Sequence, residues 1–235
     1  MSEQELNQLN NPKHIAIILD GNRRFAKKLM LEPWKGHEYG KEKVEQILDY
    51  AKDLGVNEIT FYALSVENIK NRPKNELEYL YKIFREMFRD IDKEKINKNK
   101  IKMRFIGNLS LLPQDLKEQC EKIEQETKDN DNFIVNYAVA YGGRQEIIEA
   151  VKKILKNKIK EEDVNEETIE NALYMKDQPD LVIRTGGEKR TSNFLPWQSA
   201  YSELIFLDKF WPEFEKQDLI NCIEEFKSRK RNFGK

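Results

Sequence analysis

Histidine and cysteine are scarce in this 235-residue sequence, with two of each. Cys120 and Cys222 are too few and too far apart for a disulfide framework or a cysteine-ligated metal. His14 and His37 alone exclude a multi-histidine zinc centre. No apolar run approaches the roughly 20 residues that cross a bilayer; the run at 15–19 is typical. The opening MSEQELNQLN lacks the basic-then-apolar order of a signal peptide, so a cytoplasmic protein is expected. There is no GxxxxGK[ST] loop, which excludes an ordinary P-loop nucleotidase. Nor does one sign of charge dominate. The 41 Lys and Arg face 42 Asp and Glu, which argues against coating of duplex DNA by bulk electrostatics, and no nucleic-acid partner is expected.

What is present is alternation. With 39% hydrophobic and 35% charged residues the chain can bury a core under a charged exterior, unlike a disordered tail. Short β-branched runs at 15–19, 59–64, 101–106, 133–139 and 181–183 read as buried strands, with 204–207 as a sixth. Between them Val44, Ile47, Leu48, Ala51 and Leu54 recur at helical spacing, and Gly55 ends that run as a C-cap. Ile147, Ile148, Val151, Ile154 and Leu155 repeat the pattern, as do Leu219, Ile220, Ile223 and Phe226. This order predicts an α/β fold with a mostly parallel sheet covered by helices on both faces. No linker or repeat divides it, so one domain spanning 1–235 is expected. The charged stretch 156–177 reads as a surface helix and loop.

In open parallel sheets, ligands sit beyond the carboxyl ends of the strands. The unusual residues fall there. Asp20-Gly21-Asn22-Arg23-Arg24 follows the first strand, Ser65-Val66-Glu67-Asn68 the second, Gly142-Gly143-Arg144 the fourth and Arg184-Thr185-Gly186-Gly187-Glu188 the fifth. Glycine lets backbone N–H groups approach oxygens, and arginine supplies forked, permanently charged donors, so this set suits a phosphate ester. Arg24, Arg184 and Arg190 lead as anion binders, against the reading of each as a solvated surface charge. The glycines at 142–143 are also explained by a tight strand-to-helix turn alone. Asp20 ends an apolar strand, where its charge suits either a Mg²⁺ ion bridging to phosphate oxygens or an N-cap of the next helix. A phosphoenzyme mechanism of the haloacid-dehalogenase kind needs an Asp two residues earlier, where Ile18 stands. Between Glu76 and Ile91, Leu77, Leu80, Ile83, Phe84, Met87, Phe88 and Ile91 form a wide apolar stripe. It is either core packing or the wall of a cleft for a long apolar substrate.

The blocks HIAIILDGNRRFAKK, GHEYG, YALSVENIKNRP followed by Glu76, YGGRQEI, and DLVIRTGGEKRTSNFLPWQSAYSELIF with WPEF after it run in order from His14 to Gly234. In this order and spacing they resemble the cis-prenyltransferase family, of the undecaprenyl diphosphate synthase type. The resemblance implies a core over 14–234, a six-stranded largely parallel sheet flanked by helices, a hydrophobic tunnel and a homodimer. It implies repeated condensation of isopentenyl diphosphate onto an allylic diphosphate primer, farnesyl or geranylgeranyl, with each new double bond cis. The product would be a long-chain polyprenyl diphosphate, the precursor of a lipid glycosyl carrier. Its release would involve transient contact with a membrane.

The same resemblance assigns residues. Asp20 matches the magnesium-linked catalytic carboxylate, and Glu203 a second carboxylate that helps hold the metal, in some members across the dimer interface. Gly21, Asn22, Arg23, Arg24, Phe25 and His37 match the allylic diphosphate pocket. Ser65, Val66, Glu67, Asn68, Ile69 and Glu76 match positions near the reacting ends, with Asn68 counted as catalytic. Arg184, Arg190, Thr191 and Ser192 match the isopentenyl diphosphate site. Departures are Phe25 for tryptophan, Pro33 for an arginine that Lys35 would replace, Ile69 for an aromatic residue, and Lys189 for a metal-ligating histidine. One extra residue precedes Arg72, so Asn71 or Arg72 takes the family's arginine position. The proton acceptor is Asp20, the Ser65/Asn68 region or a diphosphate oxygen. Trans-prenyltransferases use paired DDxxD motifs, which this sequence lacks. The LPWQ and PWKGHEYG strings look closer to archaeal members, which often prefer geranylgeranyl diphosphate.

Overall fold

The first strand, β1 (His14–Ile18), is buried at every position, which is why it reads as an uninterrupted apolar run. The computed structural model describes residues 11–229; the polar opening segment and the end of the 14–234 core lie outside them. After β1 come α1 (Asn22–Lys28), α2 (Gly36–Asp53), β2 (Glu58–Ser65), α3 (Val66–Asn71), α4 (Lys74–Arg89), α5 (Lys93–Lys98) and β3 (Ile101–Ile106). The second half contributes α6 (Gln114–Thr127), β4 (Phe133–Tyr141), α7 (Gly143–Lys156), α8 (Glu166–Ala172), β5 (Leu181–Arg184), β6 (Glu203–Phe206) and α9 (Lys216–Ser228). All six expected strands form. They build one sheet in the order β3-β4-β2-β1-β5-β6, and every pairing is parallel.

Alternation along β1 divides the core. Ile15 and Ile17 face a large apolar cluster to which α2, α4, α6 and α9 contribute, among others, Ile47, Phe84, Leu116 and Ile223. Ala16 and Ile18 face the other side, with Val182, Met175, Phe194 and Leu195. Farther out, α7 and α8 pack through Ala150, Ile154 and Ala172. Gly55 follows α2 at φ 75°, with its N–H on the Lys52 carbonyl, and closes the helix as the sequence suggested. The stretch 156–177 holds the end of α7, a short 3₁₀ turn and α8.

With β2 on one side of β1 and β5 on the other, the chain reverses its progress across the sheet at β1. The carboxyl ends of β1, β2 and β5 therefore open onto one crevice. The pairing of β2 with β4 shifts register between Tyr62 and Ser65. A bulge of this kind bends the strand end and re-aims the residues beyond it, in this case Ser65 and α3.

Candidate active site

The turn after β1 is tightly pinned. The Asp20 N–H bonds the Ile18 carbonyl at 2.9 Å, and the Asp20 carbonyl accepts from the Trp211 N–H at 2.9 Å and the Thr185 hydroxyl at 2.7 Å. Gly21 then adopts φ 106° as the N-cap of α1, with Phe210 where a Cβ would lie. The cap is thus the glycine, and the capping role considered for Asp20 is not the one it takes. Its carboxylate serves a different purpose. Oδ1 accepts from the Gly21 N–H at 2.6 Å and from Arg24 Nη2 at 3.0 Å, while Oδ2 accepts from Arg184 Nη2 at 2.9 Å.

A second chain of contacts starts at the end of β2. The Ser65 hydroxyl caps α3 by accepting the Asn68 N–H at 3.0 Å. Asn68 Oδ1 accepts from Arg72 Nε at 3.1 Å, and Arg72 Nη1 reaches Glu76 Oε1 at 3.0 Å. These contacts step from α3 across the extended Arg72–Pro73 junction into the first turn of α4. Arg72 Nη1 also lies 3.1 Å from His37 Nε2. A guanidinium only donates, so Nε2 is the acceptor and the imidazole proton sits on Nδ1. Burial lowers the His37 pKa and keeps the ring neutral. The guanidiniums of Arg72, 3.0 Å away, and Arg23, 3.5 Å away, hold the Glu76 carboxyl below its usual range. Of the two candidates for the family's arginine, it is Arg72 that reaches the site; Asn71 ends α3 exposed to solvent.

Arg184 closes the crevice from β5. It is 5% exposed and binds Asp20, the Ser192 hydroxyl at 2.8 Å and the Arg190 carbonyl at 2.5 Å. The loop that carries Ser192 is anchored by Asn193. Its carbonyl accepts the Gly143 N–H at 2.8 Å, its Oδ1 the Arg144 N–H at 2.9 Å, and its Nδ2 donates to Glu67 at 2.8 Å. The glycines at 142–143 therefore dock this loop, and Pro196 packs where a Gly143 side chain would be. Ser192, Asn193 and Leu195 all have positive φ, an uncommon concentration of left-handed non-glycine backbone of the sort found near functional sites.

Two cavities meet at Asp20. The smaller, about 360 Å³, is lined by Gly21, Arg23, Arg24, Lys27 and Arg72, with Asp20, Asn22 and His37. Four cationic side chains against one carboxylate make it an anion site. The larger, about 570 Å³, shares Asp20, Asn22, His37 and Arg72 and adds Tyr62, Ser65, Glu67, Asn68, Arg184, Ser192 and Asn193. Apart from Lys41, its remaining wall is mainly apolar, with Val44 from α2, Leu80, Ile83, Phe84 and Met87 from α4, Tyr137 and Trp211. The stripe on α4 therefore both packs in the core and lines this cavity. Leu80, Ile83, Phe84 and Met87 face the cavity, and Phe88 packs edge-on against Phe105 and Tyr137. Such a joint site admits an amphiphile with a multiply charged anionic head and a long apolar tail.

Other candidates stand apart. Phe25 packs edge-on against Tyr39, Val66 is buried, and Ile69 packs on the core. Thr191 is outside both cavity walls, as are Lys35 and Lys189, which are exposed. The exposed Arg190 side chain pairs with Glu188. Glu203 begins β6 opposite Leu181, at the amino end of the sheet, and pairs with Arg229 at 2.8 Å. Within one chain it is not brought to Asp20. Lys27, Tyr62 and Asn193 line the cavities but were not singled out from sequence. Lys27 had a signal, since it lies one helical turn after Arg23; Asn193 had none.

The family model described as "Putative undecaprenyl diphosphate synthase" matches residues 18–234. The chain is 47% identical to the tritrans,polycis-undecaprenyl-diphosphate synthase (geranylgeranyl-diphosphate specific) of Methanopyrus kandleri, over 99% of this chain and 88% of that one. Its counterpart in Methanocaldococcus jannaschii is 44% identical over 99% and 86%. Among solved structures, lavandulyl diphosphate synthase from Lavandula x intermedia, in complex with dimethylallyl diphosphate, superposes with a TM-score of 0.91 at 34% identity, covering 97% of this chain and all of that one.

Proposed function

The chain belongs to the undecaprenyl diphosphate synthase family of prenyltransferases, and from that premise we propose how its cavities divide the reaction between two diphosphates. It is a cis-prenyltransferase that extends an allylic diphosphate with isopentenyl diphosphate into a long-chain polyprenyl diphosphate. The observation that carries the assignment of parts is the junction at Asp20 of a cationic cavity with one walled by α4. We assign the allylic diphosphate to the pocket of Gly21, Asn22, Arg23, Arg24 and Lys27, with its tail against Leu80, Ile83, Phe84 and Met87. Arg184, Ser192 and Arg190 hold the isopentenyl diphosphate; Arg190 leaves Glu188 to do so.

Asp20 fits a Mg²⁺ site of the kind shared with substrate. Three donors occupy its two oxygens, which leaves acceptor capacity on the carboxylate. Among the described residues no group of three or more His, Cys, Asp and Glu is placed to hold a metal. Mg²⁺ commonly takes one or two carboxylates together with substrate phosphate oxygens, and Asp20 supplies one such carboxylate. When bound, Mg²⁺ would neutralise charge on the leaving diphosphate. The arginines stabilise that same charge as the allylic C–O bond breaks, and the isopentenyl alkene, held alongside, attacks the freed carbon. Asn68 orients Arg72 and faces the reacting ends; the lost proton passes to Asp20, to the Ser65/Asn68 region or to a diphosphate oxygen.

The chain works as a homodimer in this proposal. Ile148, Val151 and Leu155 form an exposed apolar stripe on α7, a face that a second copy would cover. A second copy is also the route by which Glu203 would approach a metal. No described helix is long and apolar enough to cross a membrane. The archaeal relatives favour geranylgeranyl diphosphate as the primer of this chain. Radiolabelled isopentenyl diphosphate with either primer tests the proposal. Chain-extended product, formed faster on geranylgeranyl than on farnesyl diphosphate and only with Mg²⁺, is the expected result. Release of phosphate without extension would indicate a hydrolase, and inactivity alone with activation of another chain would indicate a supporting subunit.

A further inference from the structure

The end of α1 carries an exposed apolar tip. Met30 is 96% exposed and gains nothing from burial, and Leu29 beside it is 44% exposed. Met30 also occupies the left-handed region at φ 57°. Its N–H bonds the Lys27 carbonyl at 3.0 Å, and the Leu31 N–H bonds the Ala26 carbonyl at 2.9 Å. That is the Schellman closure, whose left-handed position suits glycine because a Cβ is strained there. A large apolar side chain thus stands in a conformation that disfavours it and an environment that disfavours it, both at one exposed tip. Such a doubly costly residue points to a role outside folding.

The surroundings indicate its partner. Residues 23–41 carry six Lys and Arg, at 23, 24, 27, 28, 35 and 41, against Glu32 and Glu38. Lys28 is bonded to Glu213 at 2.7 Å, while Lys27, in the last turn of α1 before the tip, is exposed. Three consecutive aliphatic side chains, Leu29 to Leu31, cannot supply the roughly 800 Å² per partner of a stable protein interface. They match the shallow insertion, on the order of 5–10 Å, by which an apolar tip ringed with lysine enters the headgroup layer of an anionic bilayer. Seven residues of α1, about 10 Å of helix, separate this tip from Asn22 at the cavity junction. We propose that the Leu29–Met30 tip docks the enzyme on an anionic lipid surface and thereby holds the mouth of its diphosphate cavity at headgroup level. The purpose of this docking rests on the polyprenyl reading, because a lipid diphosphate must leave from that mouth.

The test is co-sedimentation of the full chain with phosphatidylcholine vesicles, with and without phosphatidylglycerol, for wild type, Met30→Gly and Leu29→Gln. Wild type should bind the anionic vesicles, and each variant should bind them about tenfold more weakly. Extension of a primer in detergent micelles should be unchanged in both variants. Met30→Gly should also raise the melting temperature by about 2–4 °C, since glycine relieves the left-handed strain. Undiminished binding by Met30→Gly would overturn the proposal. So would wild type that ignores anionic vesicles, including the case where sedimentation velocity shows Met30-dependent self-association instead. Vesicle binding that depends on Met30, in a protein that makes no chain-extended product, would support the docking surface and overturn the prenyltransferase reading.

Discussion

Glu76, beside the carboxyl ends of the strands, and Glu58, at the amino end of β2, are equally well hidden: 3% and 8% exposed. Their carboxyl groups respond oppositely. The guanidiniums of Arg72 and Arg23 hold Glu76 low, whereas burial pushes Glu58 up to about 7. Around Glu58 the buried polar side chains bond to one another, although His14 Nδ1 and Asn136 Oδ1 are left without a partner. Asn136 Nδ2 donates to Glu58 at 2.6 Å and to Thr60 at 2.9 Å, and His14 Nε2 lies 2.7 Å from the Thr60 hydroxyl. His14 is itself pushed down by burial, to about 4. Arg104 lies 3.9 Å from Glu58 but is taken up by Asp177 at 2.7 Å, so the cation at this end is spent on another acid, and the other end keeps its charges for a ligand. Burial alone does not distinguish a site from a core; the company of fixed cations does.

The sharpest way to break this contrast is Asp20→Ala. It should lower kcat/KM about a thousandfold in steady-state assays, with an unchanged circular dichroism spectrum. Wild-type rates from this variant would remove the functional distinction between the ends. Next in size is Glu58→Gln. Glu58 ionises near 4.5 when unfolded and near 7 when folded, so its stabilising contribution is complete below pH 4.5 and lost as pH rises to 7. At about 1.4 kcal/mol per pH unit the loss is about 3 kcal/mol. His14 has the opposite slope, with its contribution lost as pH falls from 6.5 to about 4. The two nearly cancel in the wild type between pH 4.5 and 6.5. Urea titrations of Glu58→Gln should expose the His14 slope as a gain of about 3 kcal/mol over that range, levelling off above it. Coincident wild-type and variant profiles would show that Glu58 is charged after all.

Glu76→Gln should cost less. Removing the buried counter-charge of Arg72 should lower kcat/KM about tenfold to a hundredfold, and the conservative Glu76→Asp should recover part of it. Arg190→Ala is the smallest of the set. Its side chain is exposed and paired only with Glu188, so the KM for isopentenyl diphosphate should rise about tenfold with no change in melting temperature. An equal rise in the KM of the primer would place Arg190 in the other diphosphate pocket.

Much of this was legible from the chain. Buried parallel strands demand continuous apolar runs, so β1 to β6 stood out wherever the sequence carried them. Gly21 and Arg184 were legible because turns and anions demand particular residue types. What spacing leaves out is direction. Arg72, not Asn71, enters the site because the bulge at the end of β2 and the phase of α3 aim it there. Asn193 matters through three contacts with distant segments, none implied by its neighbours in sequence.

By itself, then, the sequence determined the layers, the strand ends and the chemical character of the ligand, because each follows from residue type and local period. Only the tertiary structure decided that one helix both packs the core and walls the cavity, that Asp20 is gripped by Arg184 from the neighbouring strand, and that Glu203 begins its strand at the far end from Asp20. Those outcomes depend on which way side chains turn once strands align in register. A pattern along one dimension does not encode that orientation, and packing in three dimensions imposes it.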